Sequence, residues 1–374
     1  MKICILSMQR VPNFGSVLQS YSLKKILNSM GHEVKFLDIE YREEDDSLMR
    51  GHRLDYSSEC AKGGIIAKIK KIDRYAINRI KIKKKSNQQD LVFDQFLKED
   101  LVVADKKEKF DWCIIGSDEV FNCANDAEWG FTTQLFGNVK QAKNVATYAA
   151  SSGATTIDIL SESVRDRIKK AFKNVSYFSV RDDNTEKFVK ALTNKKVEKH
   201  LDPVIIGNFD NEIKEHEGVI EKLPKQYCIV YSYYNRINNP EEISLIKKFC
   251  KKHSMEIISI GAPQMWISKH MVLTPFETLV AFKHAEFVVT DTFHGTIFSA
   301  KYAKKFIAIS RPSNVNKMSA LVRSLKIEKN YAKDFREIEN IYKVEKNVGQ
   351  IDDIVNQEKT RSLAYLQRIL STDK

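Results

Sequence analysis

Val288-Val289-Thr290-Asp291-Thr292-Phe293-His294-Gly295-Thr296-Ile297-Phe298-Ser299 reads as a strand, a tight polar turn and the opening of a helix. The run 287–290 is apolar, β-branched and of strand length. Asp291 and Thr292 interrupt it, and Thr292 has the side chain of a helix N-cap. His294 then falls in the first helical turn, where backbone N–H groups lack partners and the local potential favours anions. Two readings follow. Either His294 is a proton donor beside a docked phosphate or carboxylate, or it only packs the turn.

The same alternation extends outward through most of the 374 residues. Strands are predicted at 2–7, 33–37, 110–115, 144–149, 177–180 and 196–201, with helices at 16–29, 93–97 and 159–172 and one begun by Asp183 or Asn184. A polar stretch, 207–225, carries Gly207, Gly218 and Pro224 and reads as a linker. Beyond it strands are predicted at 227–231, 256–260, 287–290 and 306–310, with helices at 241–253, 275–284, 296–302 and 317–325. An amphipathic tail helix, 353–370, packs back on either domain. Strands alternating with helices mean βαβ units and parallel sheets. The expected fold is therefore α/β, with two Rossmann-like domains, 1–206 and 226–374, whose sheets face across a cleft.

Composition narrows the function classes. Hydrophobic content of 43% supports buried cores. No apolar run approaches the ~20 residues of a membrane span, and the N-terminal run is too short for a signal-peptide core. Cys4, Cys60, Cys113, Cys123, Cys228 and Cys250 are scattered without a CxxC pair, which predicts reduced thiols and a cytoplasmic protein. Charge is uneven. Residues 61–87 hold ten basic side chains and one acid, nine of the twelve net positive charges. Ile65, Ile69, Ile72, Ala76 and Ile80 recur at helical steps, giving a basic amphipathic helix. Such a helix either packs its isoleucines on its own domain or lies on an anionic membrane surface, as a peripheral protein on the inner face would. Nucleic acid is set aside, since no nucleic-acid-binding motif accompanies the charge.

Open α/β sheets bind ligands beyond the carboxyl ends of their strands. Here those ends carry Asn13 to Ser16, Gly116 to Asp118, Ser151 to Gly153, Arg181, Asp202 and Thr292 to Gly295. Ordered blocks contain them: Asn13-Phe14-Gly15 with Leu18-Gln19; Asp111 with Gly116-Ser117-Asp118-Glu119-Val120-Phe121-Asn122; Tyr148-Ala149-Ala150-Ser151-Ser152-Gly153. They continue through Ser179-Val180-Arg181-Asp182, Leu201-Asp202-Pro203, Thr290 to Ser299 and Phe306-Ile307-Ala308-Ile309. In order and spacing the chain resembles the polysaccharide pyruvyl transferase family. Three positions depart from the family pattern: Thr292 stands where serine is usual, Glu119 where glutamine is common, and Lys317 near an expected arginine.

The resemblance implies a glycosyltransferase-B-like fold and an enzyme that moves a pyruvyl group from phosphoenolpyruvate onto sugar hydroxyls, making a ketal. The glycan would be a cell-surface polysaccharide or a lipid-linked precursor. His294, the motif histidine, is then the general acid. The donor anion requires cations, for which Arg181 and Arg311 are the candidates, with Thr292, Gly295 and Thr296 forming the anion-friendly turn. On the acceptor side, in the first domain, lie Asn13, Gln19, Ser117, Asp118, Glu119 and Asn122. Asp118 is either the acceptor's base or the cap of a following helix, and Asp202 before Pro203 is read as fixing a turn. No His, Cys and carboxylate cluster has metal-ligand spacing, so neither metal nor cofactor is expected beyond phosphoenolpyruvate as co-substrate. The competing functions are a nucleotide-sugar glycosyltransferase of the same fold and a non-catalytic glycan-binding protein.

Overall fold

The computed structural model describes the backbone of residues 1–40, 69–123 and 131–371, and their side chains except at 69–82. A first sheet comprises β1 (Lys2–Leu6), β2 (Glu33–Phe36), β3 (Phe110–Ile115), β4 (Ala142–Thr147), β5 (Val175–Val180) and β6 (Val197–Lys199). All its pairs are parallel, in the order β2-β1-β3-β4-β5-β6. Between these strands run helices α1 (Phe14–Ser29), α2 (Ile69–Asp100), α3 (Glu162–Phe172) and α4 (Asp183–Lys190). Residues 3–6 and 112–115 are buried throughout, as expected where helices cover both faces of a parallel sheet.

Two short helices, α5 (Pro203–Ile206) and α6 (Asp210–Glu215), lead to the second sheet. It holds β7 (Tyr227–Ser232), β8 (Glu256–Gly261), β9 (Lys269–His270), β10 (Phe287–Thr290), β11 (Phe306–Ile309) and β12 (Tyr331–Ala332). Again every pair is parallel, in the order β12-β11-β10-β7-β8-β9. The remaining helices are α7 (Pro240–Lys252), α8 (Pro275–His284), α9 (Phe293–Tyr302), α10 (Val315–Leu325), α11 (Ile338–Tyr342) and α12 (Val348–Leu370). Each half is Rossmann-like. Strand order reverses between β1 and β3 in one sheet and between β7 and β10 in the other, and such reversals open crevices at the strand C-termini.

Several segments depart from the sequence reading. The edge strands β9 and β12 are two residues each, too short to show a period. Residues 207–225 are not an open linker: α6 and a 3-10 turn, Glu217–Lys222, fill them. Ile213 and Val219 enter the core there, and Tyr21 Oη donates to Glu212 Oε1 at 2.8 Å. The helix expected to continue at 93–97 beyond a polar stretch at 86–90 does so without a break, as part of α2, a single helix of 32 residues. Of the basic stretch, 61–68 and the side chains of 69–82 lie outside the described residues. Further along α2, Lys85 Nζ donates to the His270 carbonyl at 2.7 Å and Gln89 exchanges two hydrogen bonds with the Leu273 backbone. That part of the helix is bound to the second domain. At the other end of the chain, α12 crosses to the first sheet, where Tyr365 Oη donates to the Thr147 carbonyl at 2.9 Å. No described helix is long and apolar enough to cross a membrane.

Candidate active site

The β10–α9 turn folds as its residues dictate. Thr292 caps α9, its Oγ1 accepting from Gly295 N at 3.0 Å. Thr296 is fully buried, with its N–H and hydroxyl both given to the Thr292 carbonyl. Gly295 is packed so closely that a Cβ there would lie 2.3 Å from Thr290 Oγ1. Gly295 and Thr296 therefore build the turn rather than offering donors to a ligand. Among the described residues, the first-turn N–H groups without an intramolecular partner are those of Phe293 and His294. These can receive an anion.

His294 meets the first domain across the cleft. Its Nε2 is buried, lies 3.5 Å from Asp202 Oδ2 and makes no shorter hydrogen bond. Asp202 is fully buried and divides its carboxylate between two tasks. Oδ1 caps α5 by accepting from Val204 N at 3.0 Å, as the Asp-Pro sequence predicts. Oδ2 accepts from Arg181 Nη1 at 2.8 Å and lies 3.1 Å from Ser117 Oγ. Burial pushes this carboxyl's pKa up, but the nearby His294 ring and the Arg181 guanidinium hold it well below the usual carboxylate range. The reading of Asp202 as a turn residue alone is thus corrected: one oxygen is structural, while the other pairs with Arg181 and faces His294 Nε2.

Arg181 follows β5 and stacks over the Phe293 ring at 4.2 Å. Its Nε is buried without a hydrogen-bond partner among the described residues. Asp118, at a φ of 74°, caps no helix. Instead its Oδ1 sits 3.9 Å from Arg181 Nη2 and its Oδ2 accepts from Ser16 Oγ at 2.7 Å. Asn13 caps α1 by accepting from Ser16 N at 2.8 Å, so α1 also points its N-terminus at the cleft. Gly15 lies directly against the His294 ring: a Cβ at this position would be 2.1 Å from Nδ1.

A second bridge crosses the cleft beside the first. Lys317 of α10 donates to Glu119 Oε1 at 2.5 Å, and Glu119 Oε2 accepts from Asn122 Nδ2 at 2.6 Å. Burial raises the Glu119 pKa, but Lys317, Asn122 and Arg181 outweigh it and bring it down to about 2. Arg181, Asp202, Phe293 and Lys317 line one narrow crevice. Sequence reasoning named Lys317 only as a departure from the family pattern. Its partner is 198 residues away, a separation at which local spacing carries no signal.

Three named residues are not brought into the open cleft. Gln19 is fully buried, its amide held by Ser7 Oγ at 2.8 Å and the Ser16 carbonyl at 3.0 Å. Ser117 is fully buried under Asp202. Arg311 spends its fork on Glu242, at 2.7 and 3.0 Å, and its Nε on Asp291 at 2.9 Å. The cleft itself opens as a cavity of about 270 Å3, with His294, Thr292 and Asn13 on one side. Residues 231–234 at the C-terminal end of β7 and 261–263 at that of β8 form another wall, and Ser86, Asp90 and Phe93 of α2 close it. Two Rossmann-like domains joined across such a cleft make a glycosyltransferase-B-like fold.

A family model for polysaccharide pyruvyl transferase matches residues 13–314. No curated protein is matched by the chain. Among solved structures, UDP-GlcNAc 2-epimerase of Methanocaldococcus jannaschii is 12% identical, covers 99% of each chain and superposes with a TM-score of 0.48. Glycosyltransferase SsfS6 of Streptomyces sp. SF2575 is also 12% identical, covers 100% of each chain and gives 0.46. The family match runs from the Asn13 cap of α1 through Arg181, Asp202 and His294, so the chain belongs to the polysaccharide pyruvyl transferase family.

Proposed function

We propose that this protein transfers the pyruvyl group of phosphoenolpyruvate to two hydroxyls of a sugar in a cell-surface polysaccharide or lipid-linked precursor, with His294 as general acid. The observation that carries the reading is the contact of His294 with the buried Asp202 carboxylate, 3.5 Å away across the domain boundary. An imidazolium needs a counter-ion in a water-poor site, and Asp202 supplies one in place. The donor's anionic groups have three partners nearby: the N–H groups of Phe293 and His294, the unpaired Nε of Arg181, and Lys317 once it leaves Glu119.

The chemistry balances without an external redox partner. The enol π pair of the donor takes the His294 proton at its methylene carbon, leaving a cation at the neighbouring carbon. One sugar hydroxyl adds there and loses its proton to a base, a role we assign to Asp118, whose carboxylate lies beside Ser16 and Arg181. The C–O bond to phosphate then breaks, the second hydroxyl adds at the same carbon and gives its proton to the departing phosphate, and the ketal closes. General acid catalysis of this kind is worth roughly 10²–10⁴-fold.

Phosphate release from phosphoenolpyruvate, measured with a panel of glycan acceptors, tests the reaction. His294→Ala should remove turnover while leaving the melting temperature within a few degrees. Normal turnover in that variant refutes the assignment. Protection from melting by UDP- or GDP-sugars but not by phosphoenolpyruvate would favour a nucleotide-sugar glycosyltransferase.

A further inference from the structure

The 270 Å3 cavity beside His294 has a lining that does not suit the donor. Phosphoenolpyruvate carries a phosphate and a carboxylate, and enclosing them without a cation is costly. Among the described residues no Lys or Arg lines the cavity, and Asp90 of α2 adds a carboxylate to it. The walls are instead aromatic: Phe14, Phe93 and Tyr231 are buried, while Tyr233 and Tyr234 stand 52% and 57% exposed. Arg236 stacks over the Tyr233 ring at 5.2 Å, and the exposed remainder of the two tyrosines beside a carboxylate acceptor and a serine, Ser86, suits a neutral polyol, whose C–H faces stack and whose hydroxyls donate. The cavity falls just below the roughly 300–1,000 Å3 of drug-sized ligand sites, which suits one sugar ring.

Resting on the pyruvyl-transfer reading, we propose that the cavity between α2 and the 231–234 turn is the acceptor-sugar subsite. It takes an uncharged pyranoside, with Tyr233 and Tyr234 as its platform and Asp90 as a hydroxyl acceptor. The acceptor ring then lies mainly against the second domain and α2, away from Gln19, Ser117 and Glu119, where the sequence reading placed it. His294 forms one edge of the same cavity, so a ring held there brings its hydroxyls to the carbon that His294 activates. Donor anions are left to the crevice of Arg181 and Lys317, which is about 10 Å3 while Lys317 holds Glu119 and opens only when that pair parts.

The test uses p-nitrophenyl hexosides and N-acetylhexosaminides as probes, with binding followed by saturation-transfer NMR on the full chain. Phosphoenolpyruvate binding is followed separately by thermal shift. Tyr233→Ala/Tyr234→Ala should weaken glycoside binding at least tenfold, and Asp90→Asn by about threefold. Phosphoenolpyruvate binding should stay within twofold of the parent in both. Asp90 is exposed, so its variant remains informative if the tyrosine pair folds poorly. Unchanged glycoside affinity in both variants overturns the subsite, as does loss of phosphoenolpyruvate binding alone or a parent protein that binds no probe. Turnover of phosphoenolpyruvate with unchanged glycoside affinity would leave the reaction standing and remove only this subsite. Tyrosine-dependent glycoside binding without phosphoenolpyruvate turnover would do the reverse.

Discussion

Replacing Gly15 by alanine adds one methyl group at the point where the two domains touch. That Cβ would lie 2.1 Å from His294 Nδ1, 2.3 Å from Cγ and 2.8 Å from Cβ. An ordinary contact needs about 3.4 Å, so the ring must retreat by roughly 1.3 Å or the domains must part; overpacking of this kind costs about 1–3 kcal/mol. Gly15 is helical within α1, where alanine is favoured by up to ~1 kcal/mol. The two effects oppose each other, which makes a double-mutant cycle decisive. Gly15→Ala should destabilise the parent, and it should cost clearly less in a His294→Ala background, where the ring is gone and only the 2.8 Å approach to Cβ remains. With unfolding entropy near 2.1 cal/mol/K per residue, the coupling corresponds to about 1–4 °C in melting temperature. Activity is the more sensitive readout, because a displacement of ~1 Å at a reacting group can cost about 10²-fold in rate. The assay is phosphate release from phosphoenolpyruvate alongside calorimetry of the four proteins. Parent-like kcat in Gly15→Ala, or equal melting shifts in both backgrounds, refutes the contact.

Asp202→Asn should lower kcat by about 10²-fold or more and weaken folding by roughly 3–5 kcal/mol, since Arg181 would keep a buried charge with its partner removed; unimpaired kcat would exclude Asp202 from the His294 machinery. Glu119 has its folded pKa depressed to about 2 against an unfolded value of ~4.3. Its contribution is therefore fully present above that unfolded value and is lost as pH falls towards 2. In Glu119→Gln, stability measured by denaturant titration should lose part of its acid dependence between about pH 4.5 and 2; an identical profile refutes the bridge to Lys317. Gln89→Ala removes two buried hydrogen bonds to the Leu273 backbone and should cost about 1–3 kcal/mol, read as a shifted urea midpoint at unchanged m-value. No shift would mean that α2 is not anchored there.

Much of the architecture was legible from periodicity. The run 287–290 reads as a strand, and the structure buries all four of its residues. Thr292 reads as a cap, and its Oγ1 caps α9. These are local events, decided by side-chain branching and by hydrogen bonds within four residues. The site was less legible. Asp202 explains why: Asp before Pro has a sufficient local use, and Oδ1 fulfils it, so nothing in the sequence shows that Oδ2 also serves Arg181 and His294. Arg311 shows the converse. Its position after β11 suggested an anion clamp, but Glu242 and Asp291 already hold it.

The strand–helix alternation, the helix caps and the polar strand ends are written in local sequence, because they follow from backbone propensity and from partners a few residues apart. Only the tertiary structure decided which strand ends meet. Two topological reversals, one in each sheet, bring the Asn13 cap, Asp118 and Asp202 up to His294. Gly15 leaves room for the ring, and Lys317 reaches Glu119 over 198 positions of chain. Contacts of that range depend on how two sheets dock, and their energies lie in burial and charge pairing between segments that share no local pattern.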